Sequence, residues 1–170
     1  QVITDVALDE NDRMVAATHA GVWRHEAGSG WTAIGPPGLP AIRDLHVAED
    51  GTILAGYYAG VWLRSGTSWV NSPITGSDGA PRDVSSVWQT ESGALIAGAS
   101  WDSWRRAPGQ TSWSLMNTDQ LPWFDVQSIN ERDGRLLAGT RFSGVLQSYD
   151  DGQTWYPAGT GLSGSEDIQD

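Results

Sequence analysis

Cysteine and lysine are both absent from the 170 residues. Without cysteine there is neither a disulfide framework nor a thiolate metal site. Without lysine, all ten basic residues are arginines, and they face 21 acidic ones for a net charge of −11. A surface of that sign repels nucleic acid and anionic membranes unless its arginines cluster, so neither is expected as a partner. No apolar run approaches the roughly 20 residues of a membrane span, and no segment sustains helical periodicity. Phenylalanine is scarce at 2, whereas tryptophan reaches 10.

What is present is a repeat. Alternating stretches open at Ile3, Ile42, Val84 and Val126, with a fifth beginning at Ile168, at intervals of 39 and then 42 residues. About thirteen residues into each unit comes a small-residue segment: Ala16-Ala17-Thr18, Ala55-Gly56-Tyr57, Ala97-Gly98-Ala99 and Ala138-Gly139-Thr140. A third apolar stretch follows at Gly21, Gly60, Asp102 and Gly144, and then a tryptophan at 31, 69, 113 and 155. Turn residues such as Asp50-Gly51, Ser92-Gly93 and Asp133-Gly134 separate the first two stretches, where glycine supplies the positive φ of a tight hairpin. Four short strands per repeat of about 42 residues are what one β-propeller blade requires. The expected fold is all-β: a single propeller or half-propeller domain over 1–170, with four-stranded antiparallel blades at about 1–41, 42–83, 84–125 and 126–167.

The fourth repeat carries Ser148-Tyr149-Asp150-Asp151-Gly152-Gln153-Thr154-Trp155, which resembles the Asp-box, S-x-D-x-G-x-T-W, at every defined position. Degenerate versions end at Trp31, Trp69 and Trp113. The chain therefore resembles the bacterial neuraminidase repeat family of sialidases, sortilin-type receptors, photosystem II assembly-factor propellers and xyloglucan-active hydrolases. The box reads as structural: Asp150 is expected to accept backbone N–H groups of its turn, and Trp155 to pack between sheets, burial worth about 4–6 kcal/mol at most.

In a four-strand meander, the turns between second and third strands lie at one end, together with the long connections between repeats. Those turns carry His19, then Tyr57 and Tyr58, then Trp101 and Asp102, then Arg141 and Phe142, with Trp123 in a nearby connection. Aromatic faces with a few polar groups suit a glycan or a small amphipathic ligand, and Arg141 suits a carboxylate. The competing reading is that these rings fill gaps between blades. His25 and His46 fall on strands, and Arg105-Arg106 reads as a solvated pair at a strand end. No metal site, cofactor or catalytic residue is assigned.

The sialidases of this family carry an Arg-Ile-Pro element that is missing here. Where xyloglucan-active relatives place a catalytic Asp after the second strand, the matching run is Ala16-Ala17-Thr18-His19. Glycoside hydrolysis needs two placed carboxylates, and Asp102 with Asp44 or Asp5 is the pair at hand. The leading expectation is thus a non-catalytic binding or assembly module. A glycosidase-type hydrolase and a structural piece of a longer propeller are the alternatives. A four-repeat arc exposes apolar blade faces, so a homodimer through open ends, reaching eight blades, or a place within a longer propeller is expected, with a closed four-bladed monomer as the third option. Gln1 in place of an initiator Met suggests processing, and the family resemblance favours an extracellular or periplasmic location.

Overall fold

A computed structural model of the chain describes residues 1–35, 38, 40–116 and 124–159. Sixteen strands form four four-stranded antiparallel sheets in which hydrogen-bonded neighbours follow chain order. The first holds β1 (Ile3–Leu8), β2 (Met14–Thr18), β3 (Gly21–Glu26) and β4 (Gly30–Ala33). The second holds β5 (Asp44–Val47), β6 (Ile53–Tyr57), β7 (Gly60–Ser65) and β8 (Ser68–Pro73). The third holds β9 (Val84–Gln89), β10 (Leu95–Ala99), β11 (Asp102–Arg106) and β12 (Ser114–Leu115). The fourth holds β13 (Val126–Arg132), β14 (Arg135–Thr140), β15 (Val145–Ser148) and β16 (Tyr156–Pro157). Among the described residues there is no helix, hence none long and apolar enough to cross a membrane. The anticipated fifth repeat, from Ile168, lies outside the described residues. The chain divides into two compact units, Gln1–Val87 and Trp88–Asp170.

In the first unit, Val15, Ala17 and Val22 of the first sheet pack on Leu45, Ile53, Ala55 and Tyr57 of the second and on Ile42 of the connection between them. The repeat tryptophan Trp69 ties the two sheets, its indole Nε1–H donating to the Ile34 carbonyl at 2.7 Å. The second repeat was expected to enter its first strand at Ile42. That residue instead donates its N–H to Thr18 of the first sheet at 3.0 Å, and the ladder starts at Asp44. The first strands are also stapled by carboxylates. Asp5 Oδ2 accepts the Leu45 N–H at 2.9 Å, and Asp44 Oδ2 accepts the Val87 N–H at 2.7 Å.

The second unit has its own core of Ile96, Phe124, Val126, Leu136, Ala138, Leu146 and Trp155. Its Ser148–Trp155 turn is held by one carboxylate. Asp150 Oδ1 accepts from Ser148 Oγ at 2.8 Å, Gln153 N at 3.1 Å and Thr154 N at 2.8 Å, while Oδ2 accepts from Thr154 Oγ1 at 2.5 Å. Burial pushes this carboxyl upward, but the bonds from Thr154, Ser148 and Gln153 outweigh it and hold Asp150 below the ordinary range. Gly152 has φ 76 and a Cβ there would meet Ile96 Cδ1 at 2.9 Å, so glycine is required twice over. Trp155 donates to the Gly152 carbonyl at 3.1 Å and meets Phe124 edge-on, with centroids 5.4 Å apart.

Arg105 and Arg106 correct the expectation of a solvated pair. Arg105 is largely buried and reaches the Ser148–Trp155 turn, with Nε on the Asp151 carbonyl at 2.8 Å and Nη2 on Asp151 Oδ2 at 2.6 Å. Arg106 lies 5.8 Å from the Trp113 ring centroid, and burial lowers its pKa.

Candidate functional site

Each turn between second and third strands is built by hairpin chemistry. At Thr18 and Thr140 the hydroxyl donates to the carbonyl of the following glycine, Gly21 at 2.9 Å and Gly144 at 2.8 Å. It also accepts a turn N–H, from Ala20 at 3.0 Å and Ser143 at 2.9 Å. Buried threonine therefore closes the turn and lets the intervening residues point outward.

In the first unit this arrangement exposes His19 and Tyr58, but not Tyr57. Tyr57 is buried, donates to Asn71 Oδ1 at 2.9 Å and meets the Tyr58 ring edge-on at 5.3 Å; burial raises its pKa. Its phenol is thus engaged inside the sheet it belongs to.

The second unit gathers more chemistry. In the third sheet the position matching Gly21 and Gly60 is Asp102, and the positive φ moves one residue back onto Trp101, at 72°. A bulky residue in that conformation stores strain of about 1–3 kcal/mol. Its exposed indole stacks on exposed Phe142, with ring centroids 5.4 Å apart and planes 9° from parallel. The fourth turn, Arg141–Ser143 between Thr140 and Gly144, is one residue longer than the other three, and Phe142 is its middle residue.

Behind the rings lies Asp125, which sequence reasoning did not single out. It is only 1% exposed, and its Oδ1 accepts from Gln127 Nε2 at 2.6 Å. Its Oδ2 has no hydrogen-bond partner among the described residues and faces Arg141 Nη1 at 3.8 Å. Burial drives the Asp125 carboxyl upward, the Trp101 backbone N–H, Arg141 and Gln127 pull it back, and Asp102 adds repulsion; the net direction is up. Ser103 fixes this corner by donating to the Phe124 carbonyl and accepting the Val126 N–H at 3.1 Å. Trp101, Asp102, Asp125, Arg141 and Phe142 therefore form one corner, in which a half-exposed guanidinium and two stacked rings meet solvent. Trp123 lies outside the described residues.

Two other places hold polar groups. A cavity of about 550 Å³ at the opposite turn end is lined by Glu91, Glu131, Asp150 and Asp151, among others. Three of these four carboxylates are already engaged: Glu131 with Trp88 Nε1 and the Glu91 N–H, Asp150 within its turn, Asp151 with Arg105. Among the described residues no group of three His, Cys, Asp or Glu could hold a metal ion. The third-strand indoles Trp23, Trp62 and Trp104 each bury an Nε1 without a hydrogen-bond partner among the described residues. Recurrence at one repeat slot marks a packing position rather than a site.

No protein-family model matches the sequence, and no curated protein does. Solved structures do. The chain is similar to an ancestral GH74 enzyme (17% identity, TM-score 0.71, 94% of this chain and 24% of that one). It is similar to the extracellular domain of the one component system protein BT4673 of B. thetaiotaomicron (14%, TM-score 0.71, 98% and 23%). It is also similar to YCF48 bound to D1 peptide (18%, TM-score 0.64, 84% and 48%). The chain spans about a quarter of the first two and about half of the third. Likeness at this level establishes architecture: the chain has the all-β propeller fold, as four consecutive four-stranded antiparallel blades.

Proposed function

We propose that this chain is a binding or assembly module whose second-to-third-strand turns present a ligand rim, centred on Trp101, Asp102, Arg141 and Phe142. The observation that carries it is the exposed Trp101–Phe142 stack, held at the cost of a left-handed backbone at Trp101. Strain kept in an exposed bulky turn residue is the mark of a residue retained for contact rather than for folding. A sugar ring fits best: its C–H face lies on an aromatic platform while Arg141 and Asp102 serve its polar edge. In the first unit His19 and Tyr58, with Tyr57 as support, form a second proposed turn surface of the same kind. The similarity to YCF48, solved with a peptide, supports the assembly form of the reading. The test is a panel of oligosaccharides titrated against tryptophan fluorescence, with Trp101→Ala and Arg141→Ala. Saturable binding lost in both variants supports the module, and unchanged binding in both refutes it.

A hydrolytic reading rests on a different observation. Asp125, whose pKa burial raises, lies near Asp102, and two placed carboxyls, one with a raised pKa, are what acid–base glycoside chemistry uses. The similarity to a GH74 enzyme favours the same direction. Turnover of chromogenic glycosides that is abolished by Asp102→Asn would establish it in place of simple binding.

The hydrogen bonding of Ser148–Trp155 supports membership in the Asp-box repeat family, with blades at 1–41, 42–83, 84–125 and 126–167. The small share of the neighbours' length that the chain covers supports a part of a larger ring. Similarity to extracellular domains supports an extracellular or periplasmic location.

A further inference from the structure

The first and second blades meet through two rows of side chains, and each row carries an arginine. Directly opposed residues in an antiparallel ladder share a face. Arg24 therefore stands on the face of Val15, which packs against the second blade. Arg64 stands between Ile53 and Trp69, on the face that the second blade turns to the first. Arg24 is paired, with Glu26 at 2.7 Å and Asp9 at 3.8 Å, and Arg13 shares these two carboxylates at 3.7 Å and 2.8 Å. Arg64 is half-buried, and its Nε is buried without an acceptor; no hydrogen bond or ion pair reaches its guanidinium among the described residues. Burial lowers its pKa, Arg24 and Arg13 lower it further, and Glu10 and Asp9 only partly offset them. A partly buried cation beside a like charge, with no acceptor, is unfavourable until an anion meets it.

The second unit holds an anion in the equivalent place. Arg105 occupies the position in its strand that Arg24 occupies in β3, and it stands opposite the core residue Ile96. Its Nη2 meets the Asp151 carboxylate at 2.6 Å, in the turn after Ser148, the residue that matches Arg64. Asp151 sits there with a left-handed φ of 63°. In the second blade the left-handed residue of the corresponding turn is Gly66, with φ 60°, and the turn from Ser65 to Ser68 contains no acid. The first unit thus brings two guanidiniums where the second brings one, and its turn supplies no carboxylate.

We infer that Arg64, with Arg24 facing it, binds a carboxylate group from outside the chain, in the place that Asp151 fills in the second unit. A planar carboxylate matches a guanidinium through two parallel N–H···O bonds, and the Arg64 Nε–H is one donor waiting for such an acceptor. The turn leaves room, since a Cβ on Gly66 would meet nothing within 4 Å. Glu10 leans on Gly51 of the second blade, with Oε2 3.2 Å from where a Cβ would be, and its charge reaches Arg64. It therefore weakens an entering anion. The site lies at the opposite turn end from the proposed rim and does not depend on it.

Sodium acetate titrated into the isotope-labelled chain at neutral pH, against sodium chloride at equal ionic strength, tests this through the arginine Nε–H resonances. The Arg64 resonance should shift saturably with acetate and not with chloride. Half-saturation on the order of 10–100 mM is what one charge-assisted pair allows. Arg64→Gln identifies the resonance by its loss, and should remove the extra thermal protection that acetate gives over chloride. Glu10→Gln should tighten acetate binding. Gly66→Asp supplies the carboxylate from within the chain, so it should raise the melting temperature and abolish the acetate response. A blocked glycyl-aspartyl-glycine peptide separates the two sources of a carboxylate: binding tighter than acetate assigns it to an acidic side chain of a partner, and weaker binding to a small free acid. An Arg64 resonance that moves equally in acetate and chloride overturns the inference. So does an acetate response that survives unchanged in both Arg64→Gln and Gly66→Asp.

Discussion

Asp5 and Asp44 form a relay on the first strands of consecutive blades: Asp5 Oδ2 accepts the N–H of Leu45, the residue next to Asp44, at 2.9 Å, and Asp44 Oδ2 accepts the Val87 N–H at 2.7 Å. Burial, with the neighbouring Asp5 charge adding to it, pushes Asp44 up to about 7, against the pull of the Val87 and Leu45 N–H groups. An acid whose folded pKa exceeds its unfolded one stabilises the fold fully below the unfolded value. That contribution is lost as pH rises through the folded value. Stability in urea should therefore fall between about pH 4 and 7 by up to a few kcal/mol and level off above. Asp44→Asn should flatten that slope, and a wild-type curve that rises over the same interval would contradict the assignment.

Asp150 gives the opposite dependence, since its folded pKa is depressed. Its contribution is present above the unfolded value near 4 and disappears as acid is added. Asp150→Ala also leaves the Thr154 N–H without its acceptor and the Gln153 N–H with the backbone carbonyl of residue 150 alone, at 3.3 Å. A loss of about 1–3 kcal/mol is expected, measured by urea denaturation, with Trp155 fluorescence shifting red as its turn loosens.

Trp101 separates stability from binding. Trp101→Gly removes an unfavourable φ of 72° and is expected to raise the melting temperature slightly or leave it unchanged. The same variant deletes the ring that stacks on Phe142, so glycan binding should be lost. Loss of binding together with a large drop in melting temperature would instead mark Trp101 as a folding residue.

Trp69→Phe keeps most of the half-buried ring but deletes the indole donor to Ile34. The orphaned carbonyl should cost about 1 kcal/mol, read as a lower denaturation midpoint with an unchanged urea slope.

The strand plan was legible because two independent signals agree: period-two alternation and turn glycines recurring every 42 residues or so. Asp150 was legible for the same reason, as a local motif whose partners all lie within four residues. Tyr57 was misleading on its own, although its repeat equivalents Thr18, Ala99 and Thr140 are all small or hydroxylated buried residues, a hint that the slot points inward. Asp125 left no such trace. Its neighbours in the aligned slot are Val2, Ala41 and Asp83, and its burial arises from Arg141, Gln127 and the Trp101 backbone, which are distant or unremarkable in sequence. Arg105 misled for a related reason: its partner, Asp151, is 46 residues away, beyond any local pattern.

The Arg141–Gly144 turn has its two ends fixed by the Thr140 hydroxyl, independently of what lies between. Those interior positions can accordingly be shuffled like the tip of a tool on an unchanged handle. Libraries confined to Phe142 and Ser143, which keep Arg141 against Asp125, should retarget recognition while leaving the melting behaviour of the scaffold almost untouched.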